Sequence, residues 1–205
     1  GYGAKRLAQV ATQVDAVDID AEAIAFAEKT YGDDKVDFSV ADLRSFEPEE
    51  GVYDVVTSFE VIEHLTKEEI PAYLERLRRA VKMGGTVLIS TPNKLIAEQW
   101  DNPHHHYEMT KEEFEAQLTR AFGEVTLLGQ TLWSEQTEVP GQCAISGRVT
   151  DEDDMFIAIC TKCEVSQVVE ADMTPRVSIV MPLYNKVEFT EACVNGLEDT
   201  RGESP

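Results

Sequence analysis

Basic residues are scarce in this chain: 18 Lys and Arg stand against 39 Asp and Glu, for a formal net charge of −21. Such a surface repels a phosphate backbone, which removes nucleic acid as a default partner. Cysteine is scarce too. Cys143, Cys160, Cys163 and Cys193 are too few and too scattered for a disulfide framework. Cys160 and Cys163 form a C-x-x-C, but zinc needs a second pair, so they read as strand-end residues without redox or metal function. No apolar run is long enough to span a bilayer and no signal-peptide pattern is found. The chain therefore reads as soluble and cytoplasmic.

What is present is an alternation of strand and helix patterns. At 205 residues the chain can bury one good core and begin another domain. Residues 14–18 read as a short apolar strand, and 21–31 as a helix closed by Gly32. Further strands are predicted at 36–40 and 52–58, a helix at about 67–82, and a strand at 86–90 after the turn Gly84-Gly85. Thr110 is placed to cap a helix over 111–122, followed by strands at 125–128 and 155–161. The stretch 131–154, rich in Gly, Pro and acidic residues, reads as an exposed excursion near the site. Strands alternating with helices in this way predict an α/β fold, a mostly parallel sheet with helices on both faces.

The chemistry concentrates where the apolar run 53–57 ends in Ser58-Phe59-Glu60-Val61-Ile62-Glu63-His64. A buried strand that opens into carboxylates and an imidazole marks the carboxyl edge of a parallel sheet, where open α/β sheets bind ligands. On one helical turn, Glu60, Glu63 and His64 would share a face. Carboxylate and imidazole ligands so clustered can hold Mg²⁺ or Mn²⁺. A second donor group lies in residues 102–108, with His104, His105 and His106 in a row. The plain alternative is a solvated acidic helix face and a metal-sticky loop. Without a metal, His64 can serve as a general base.

Gly1-Tyr2-Gly3-Ala4 leads directly into a helical pattern at 5–10, as a glycine turn after a strand would, although no strand precedes it. Together with Val17-Asp18-Ile19-Asp20 and Ala41-Asp42-Leu43, this order of motifs resembles the class I S-adenosylmethionine-dependent methyltransferases over residues 1–162. The resemblance implies a Rossmann-like fold whose first strand is missing from the chain. It also implies S-adenosylmethionine as cofactor: Gly1 as the last glycine of the loop around the methionine portion, with Gly3 just beyond, and Asp18 on the ribose hydroxyls. Ile19 and Leu43 would cover the adenine, Asp42 accept from its amino group, and Phe59 lie near the cofactor. A carboxylate suits a diol because it accepts two hydrogen bonds. Asp20 reads as a helix cap, and Asp42 has the alternative of capping a turn before Arg44.

The E-x-x-E-H run followed by a later His before an aromatic-Glu pair resembles the metal-assisted methyltransferases that modify the ribose 2′-hydroxyl of small RNAs. That resemblance implies Glu60, Glu63, His64 and His105 as the metal shell, with Glu63, His64 and His105 as the catalytic group. In overall pattern the chain is more similar to bacterial methyltransferase domains joined to glycosyltransferases, and residues 175–197 resemble the opening strand, loop and helix of a family 2 glycosyltransferase. The domains expected are a methyltransferase domain at 1–165, incomplete at its start, a linker at 166–175 and the start of a glycosyltransferase at 176–205. The implied function is O-methylation of a sugar hydroxyl on a glycan or nucleotide sugar. A quinone-type small-molecule acceptor and a non-catalytic scaffold stand as alternatives. A sheet edge exposed by the missing strand would favour homo-oligomers.

Overall fold

The computed structural model describes residues 1–97, 102–131 and 144–162 and the backbone of 176–180. Helix α1 (Tyr2–Leu7) leads to β1 (Gln13–Asp18), α2 (Ala21–Tyr31) and β2 (Val36–Val40). Strand β3 (Tyr53–Phe59), a 3-10 turn at Ile62–His64, α3 (Ile70–Ala80), β4 (Val81–Pro92) and α4 (Lys94–Ala97) follow. The remainder comprises α5 (Lys111–Phe122), β5 (Gly123–Thr131), β6 (Ala144–Ser146), β7 (Met155–Lys162) and β8 (Arg176–Val180). Among the described residues no helix is long and apolar enough to cross a membrane.

Local chemistry fixes several of these boundaries. Asp20 caps α2 by accepting from the N–H groups of Glu22 and Ala23 at 2.8 and 3.3 Å. Thr110 and Glu113 form a reciprocal capping box at the start of α5, satisfying N–H groups that the helix itself cannot. In α3, Ile70, Tyr73, Leu74 and Leu77 recur at helical spacing and are all buried. This helix is shorter than the sequence pattern predicts, and β4 is longer. Its first residues, including the Gly84-Gly85 pair, continue the strand from Val81 instead of forming a turn before it. Gly85 lies against Val81 and the Asp54 carbonyl with no space for a Cβ, so the glycine serves close strand packing.

The sheet has eight strands in the order β2-β1-β8-β3-β4-β7-β5-β6. From β2 to β4 neighbouring strands are parallel, and β7, β5 and β6 pair antiparallel beyond them. Alternation along the strands separates two cores. Val56, Val87, Ile89, Phe156 and Ala158 face α3 and α5, whereas Val14, Ala16, Leu88 and Ile157 face the other side with Ala4 and Ala8 of α1. Helices thus cover both faces, as the alternation predicts.

One expectation is corrected at the centre of the sheet. The slot between β1 and β3 is occupied by β8, which runs parallel to both. A strand feeding α1 would enter this slot by a right-handed crossover. The exposed edge expected from a missing strand is therefore absent: β1 and β3 are paired on both sides, and β2 and β6 are the outer strands. The predicted helix after this strand, the linker at 166–175, and residues 132–143 of the excursion lie outside the described residues. So do Cys143, Cys163 and Cys193, while Cys160 is buried in β7, where desolvation pushes its thiol up to about 12.

Candidate active site

Two groups of side chains meet the carboxyl edge of the parallel strands. The first surrounds the end of β1. Asp18 is buried there, and one of its oxygens accepts from the Asp20 N–H at 2.8 Å, which orients the carboxylate beside the cap of α2. Ile19 next to it is 59% exposed and Val40, opposite Asp18 in register, is 54% exposed. Water tolerates such apolar side chains, but a buried carboxylate flanked by an open aliphatic surface also fits a ribose with a flat heterocycle beyond it. The remaining predicted cofactor residues are placed differently. Asp42 accepts from the Arg44 N–H at 2.9 Å and from its guanidinium Nε and Nη2, which holds its carboxyl below the usual range. This is the turn-capping arrangement. Leu43 packs partly buried on the α3 core, and Phe59 is buried on the α1 side.

The glycine turn is also tighter than predicted. Helix α1 begins at Tyr2, so Gly1 is its N-cap and Gly3 lies buried within its first turn. A Cβ at Gly1 would run into the ring of Tyr31 and come within 3.0 Å of the Ala27 side chain. Glycine there permits the close approach of α1 to the end of α2.

The second group forms where β3 ends. Glu60 has φ 55°, the left-handed region, and is the non-glycine residue so placed among those described. Ser90 at the adjacent strand end holds it: the Glu60 N–H donates to Ser90 Oγ at 3.1 Å, and Ser90 Oγ donates to Glu60 Oε1 at 2.8 Å. The turn at Ile62–His64 follows at once, so Glu60 does not share a helical face with Glu63 and His64. Within the core just below, Ser58 and Tyr73 join their hydroxyls in a hydrogen bond.

Glu63 is 1% exposed, and among the described residues neither of its carboxylate oxygens has a hydrogen-bond partner. Burial, with the charges of Glu60 and Glu108 adding to it, pushes its pKa well above the ordinary glutamate value. Such a group needs a compensating proton or cation. Facing it are its chain neighbour His64 and, from a distant loop, His105. His64 Nδ1 donates to the His104 carbonyl at 2.9 Å, leaving Nε2 at 3.9 Å from Glu63 Oε1. His105 Nδ1 meets Glu108 Oε1 at 2.6 Å. The two rings lie edge to face with centroids 5.1 Å apart. One ligand atom from each of Glu63, His64 and His105 falls within 4.8 Å of the others.

A backbone strap produces this meeting. The N–H groups of His106 and Tyr107 donate to the Glu63 carbonyl at 2.8 and 3.1 Å, fastening the histidine loop to the turn after β3. Asn102 starts the loop by accepting from the His104 N–H through its side chain. Burial and the neighbouring histidines hold the His64 pKa below its usual value, despite the opposing hydrogen bond. The predicted trio Glu63, His64 and His105 is thus brought together. Glu60 is not a member of the cluster, because Ser90 turns it to the neighbouring strand. Sequence reasoning gave no role to Ser90, Tyr73 or Glu108; only Glu108 carried a local signal, three residues after His105.

Residues 1–85 match the family described as a methyltransferase domain. A probable S-adenosylmethionine-dependent methyltransferase of Mycobacterium tuberculosis is 33% identical over 134 residues, covering 63% of this chain and 47% of the relative. One from Mycolicibacterium smegmatis is 32% identical over 129 residues, covering 61% and 49%. The chain spans about half the length of the curated relatives it matches. Among solved structures, a SAM-dependent methyltransferase of Thermotoga maritima, titled a possible histamine N-methyltransferase, superposes with a TM-score of 0.58 at 13% identity, covering 79% of this chain and 89% of that one. The N-methyltransferase NodS of Bradyrhizobium japonicum, in complex with S-adenosyl-L-homocysteine, gives 0.56 at 17%, covering 80% and 74%. Residues 1–85 thus carry a methyltransferase-domain match, and the fold is that of the class I S-adenosylmethionine-dependent methyltransferases.

Proposed function

We propose that this domain transfers the methyl group of S-adenosylmethionine to a sugar hydroxyl, on a glycan or nucleotide sugar, with a divalent cation assisting. The observation that carries the reading is the buried, unpartnered Glu63 carboxylate facing two imidazoles. A carboxylate and two neutral imidazole nitrogens are a fitting donor set for Mn²⁺ or a related divalent ion, and Glu63, His64 and His105 would hold it. Such an ion, when bound, supplies Lewis acidity toward an acceptor hydroxyl.

The chain's own residues have the following tasks. Asp18 grips the ribose hydroxyls, and Ile19 gives the adenine an apolar face. His64 has one open nitrogen, Nε2, because its bond to the His104 carbonyl leaves that atom unprotonated. With a cation held there Nε2 would be a ligand, and without one the same nitrogen, kept neutral by the lowered pKa, can accept the hydroxyl proton as a general base. As the carbon–oxygen bond forms, the carbon–sulfur bond breaks, leaving S-adenosylhomocysteine, a methyl ether and a proton. The choice of a sugar rests on the resemblance of residues 175–197 to the start of a glycosyltransferase.

Calorimetric titration of S-adenosylhomocysteine, with and without Mn²⁺, tests the reading first. Asp18→Ala is expected to weaken binding about 10–100-fold, the loss of charge-assisted hydrogen bonds worth about 1.5–3 kcal/mol. Release of S-adenosylhomocysteine from S-adenosylmethionine is then followed with sugar and with catechol acceptors. Turnover confined to catechols would overturn the sugar, and absence of any cofactor binding would leave a scaffold.

A further inference from the structure

Glu108 belongs to no role assigned so far, yet it makes one of the shortest polar contacts of the site. Its Oε1 lies 2.6 Å from His105 Nδ1, and both side chains are largely buried. The backbone beside it is anchored. Met109 is fully buried, forms a bridge with Asn93, and its carbonyl accepts from the Lys94 N–H at 3.1 Å. Asn93 is itself fixed at the end of β4, its amide donating to the carbonyls of Asp151 and Asp153 at 2.9 and 2.8 Å. Glu108 therefore sits in the histidine loop directly before Met109, whose backbone is tied to the segment that follows β4.

We propose that Glu108 is a positioning residue that holds His105 in its Nδ1–H form, so that Nε2 is the open acceptor presented to the position shared with His64 and Glu63. The inference rests on the cation reading given above. Which imidazole nitrogen carries the proton is set by the partner of the other, and a carboxylate on Nδ1–H also makes the ring a stronger donor ligand. His64 reaches the same state by a different acceptor, the His104 carbonyl. The two rings thus present the same nitrogen to the site, one held by backbone and the other by Glu108. A loop adopting this geometry for packing alone has no need of a buried carboxylate at that spot, since Glu63 is already nearby and repels it.

The test compares Glu108→Ala with Glu108→Gln, whose carbonyl oxygen can still accept from Nδ1–H. Long-range nitrogen–proton correlation spectra of the metal-free chain read the His105 tautomer directly, and calorimetry reads Mn²⁺ affinity. The parent and Glu108→Gln should show Nδ1–H, whereas Glu108→Ala should lose it and bind Mn²⁺ about 10–100-fold more weakly. Retention of Nδ1–H in Glu108→Ala overturns the proposal, as does a changed tautomer with unchanged Mn²⁺ affinity. If the parent binds no Mn²⁺, the cation reading fails, and the tautomer alone then decides whether Glu108 positions His105. Circular dichroism melts of both variants separate this effect from failure to fold.

Discussion

Two carboxylates at the same sheet edge have opposite surroundings. Asp18 ends β1 with its oxygen bonded to the N–H two residues on, beside an exposed Ile19. Glu63, after β3, is equally withdrawn from water but its carboxylate has no hydrogen-bond partner among the described residues, and it lies with the imidazoles of its neighbour His64 and of His105 from the loop at 102–107. The first is satisfied by its own neighbours. The second is an incomplete site, stable only because the surrounding fold keeps it there or because something joins it. A ligand that binds at Asp18 adds to a finished surface, while a ligand at Glu63 removes a burial cost.

The largest break in this contrast should come from His64→Ala. Methyl transfer is expected to fall about 10²–10⁴-fold, the usual worth of a positioned general base, with S-adenosylhomocysteine affinity unchanged. Equal loss of cofactor binding would show that the two halves are not separate. Next is Glu63→Gln, read in chelator by chemical denaturation across pH. Because the folded pKa of Glu63 is raised, the folded state holds its proton more tightly than the unfolded chain does. The stability it contributes is full below the ordinary glutamate value and is lost as pH rises through the folded value. The glutamine variant should therefore be the more stable at about pH 8, with the gap closing toward about pH 4. A pH-independent difference would contradict the buried, uncompensated carboxylate. The smallest effect belongs to Thr110→Ala, which removes the capping box of α5 just after the histidine loop. A loss of about 1 kcal/mol in stability is expected. Mn²⁺ affinity should stay within about twofold, because β4 and Asn93, not the helix start, anchor Glu108.

Much of the cofactor side was legible in the sequence. The helix over Ala21–Tyr31 with its Asp20 cap, the strand Val36–Val40 and the helix over Lys111–Phe122 lie where local patterns put them. Their signals act within four residues: a cap oxygen, a helical apolar stripe, a closing glycine. The other half was legible only in part. Glu63, His64 and His105 announced themselves as residue types, but the role of Glu60 was misread because periodicity carried a helix through it. A left-handed residue bonded to Ser90, thirty positions away, has no local signature. Glu108 was visible in the motif of residues 102–108 but was given no role, since its value depends on where the imidazole beside it points.

Sequence by itself determined the alternation of strands and helices, the two faces of the core and the acidic character of the surface, because these follow from side-chain period and composition. Tertiary structure alone decided that β8 fills the slot between β1 and β3. It alone placed a loop forty residues downstream so that its backbone N–H groups meet the Glu63 carbonyl. Those outcomes depend on hydrogen bonds between segments that are remote in the chain, and only the folded sheet brings their donors and acceptors within 3 Å or so of one another.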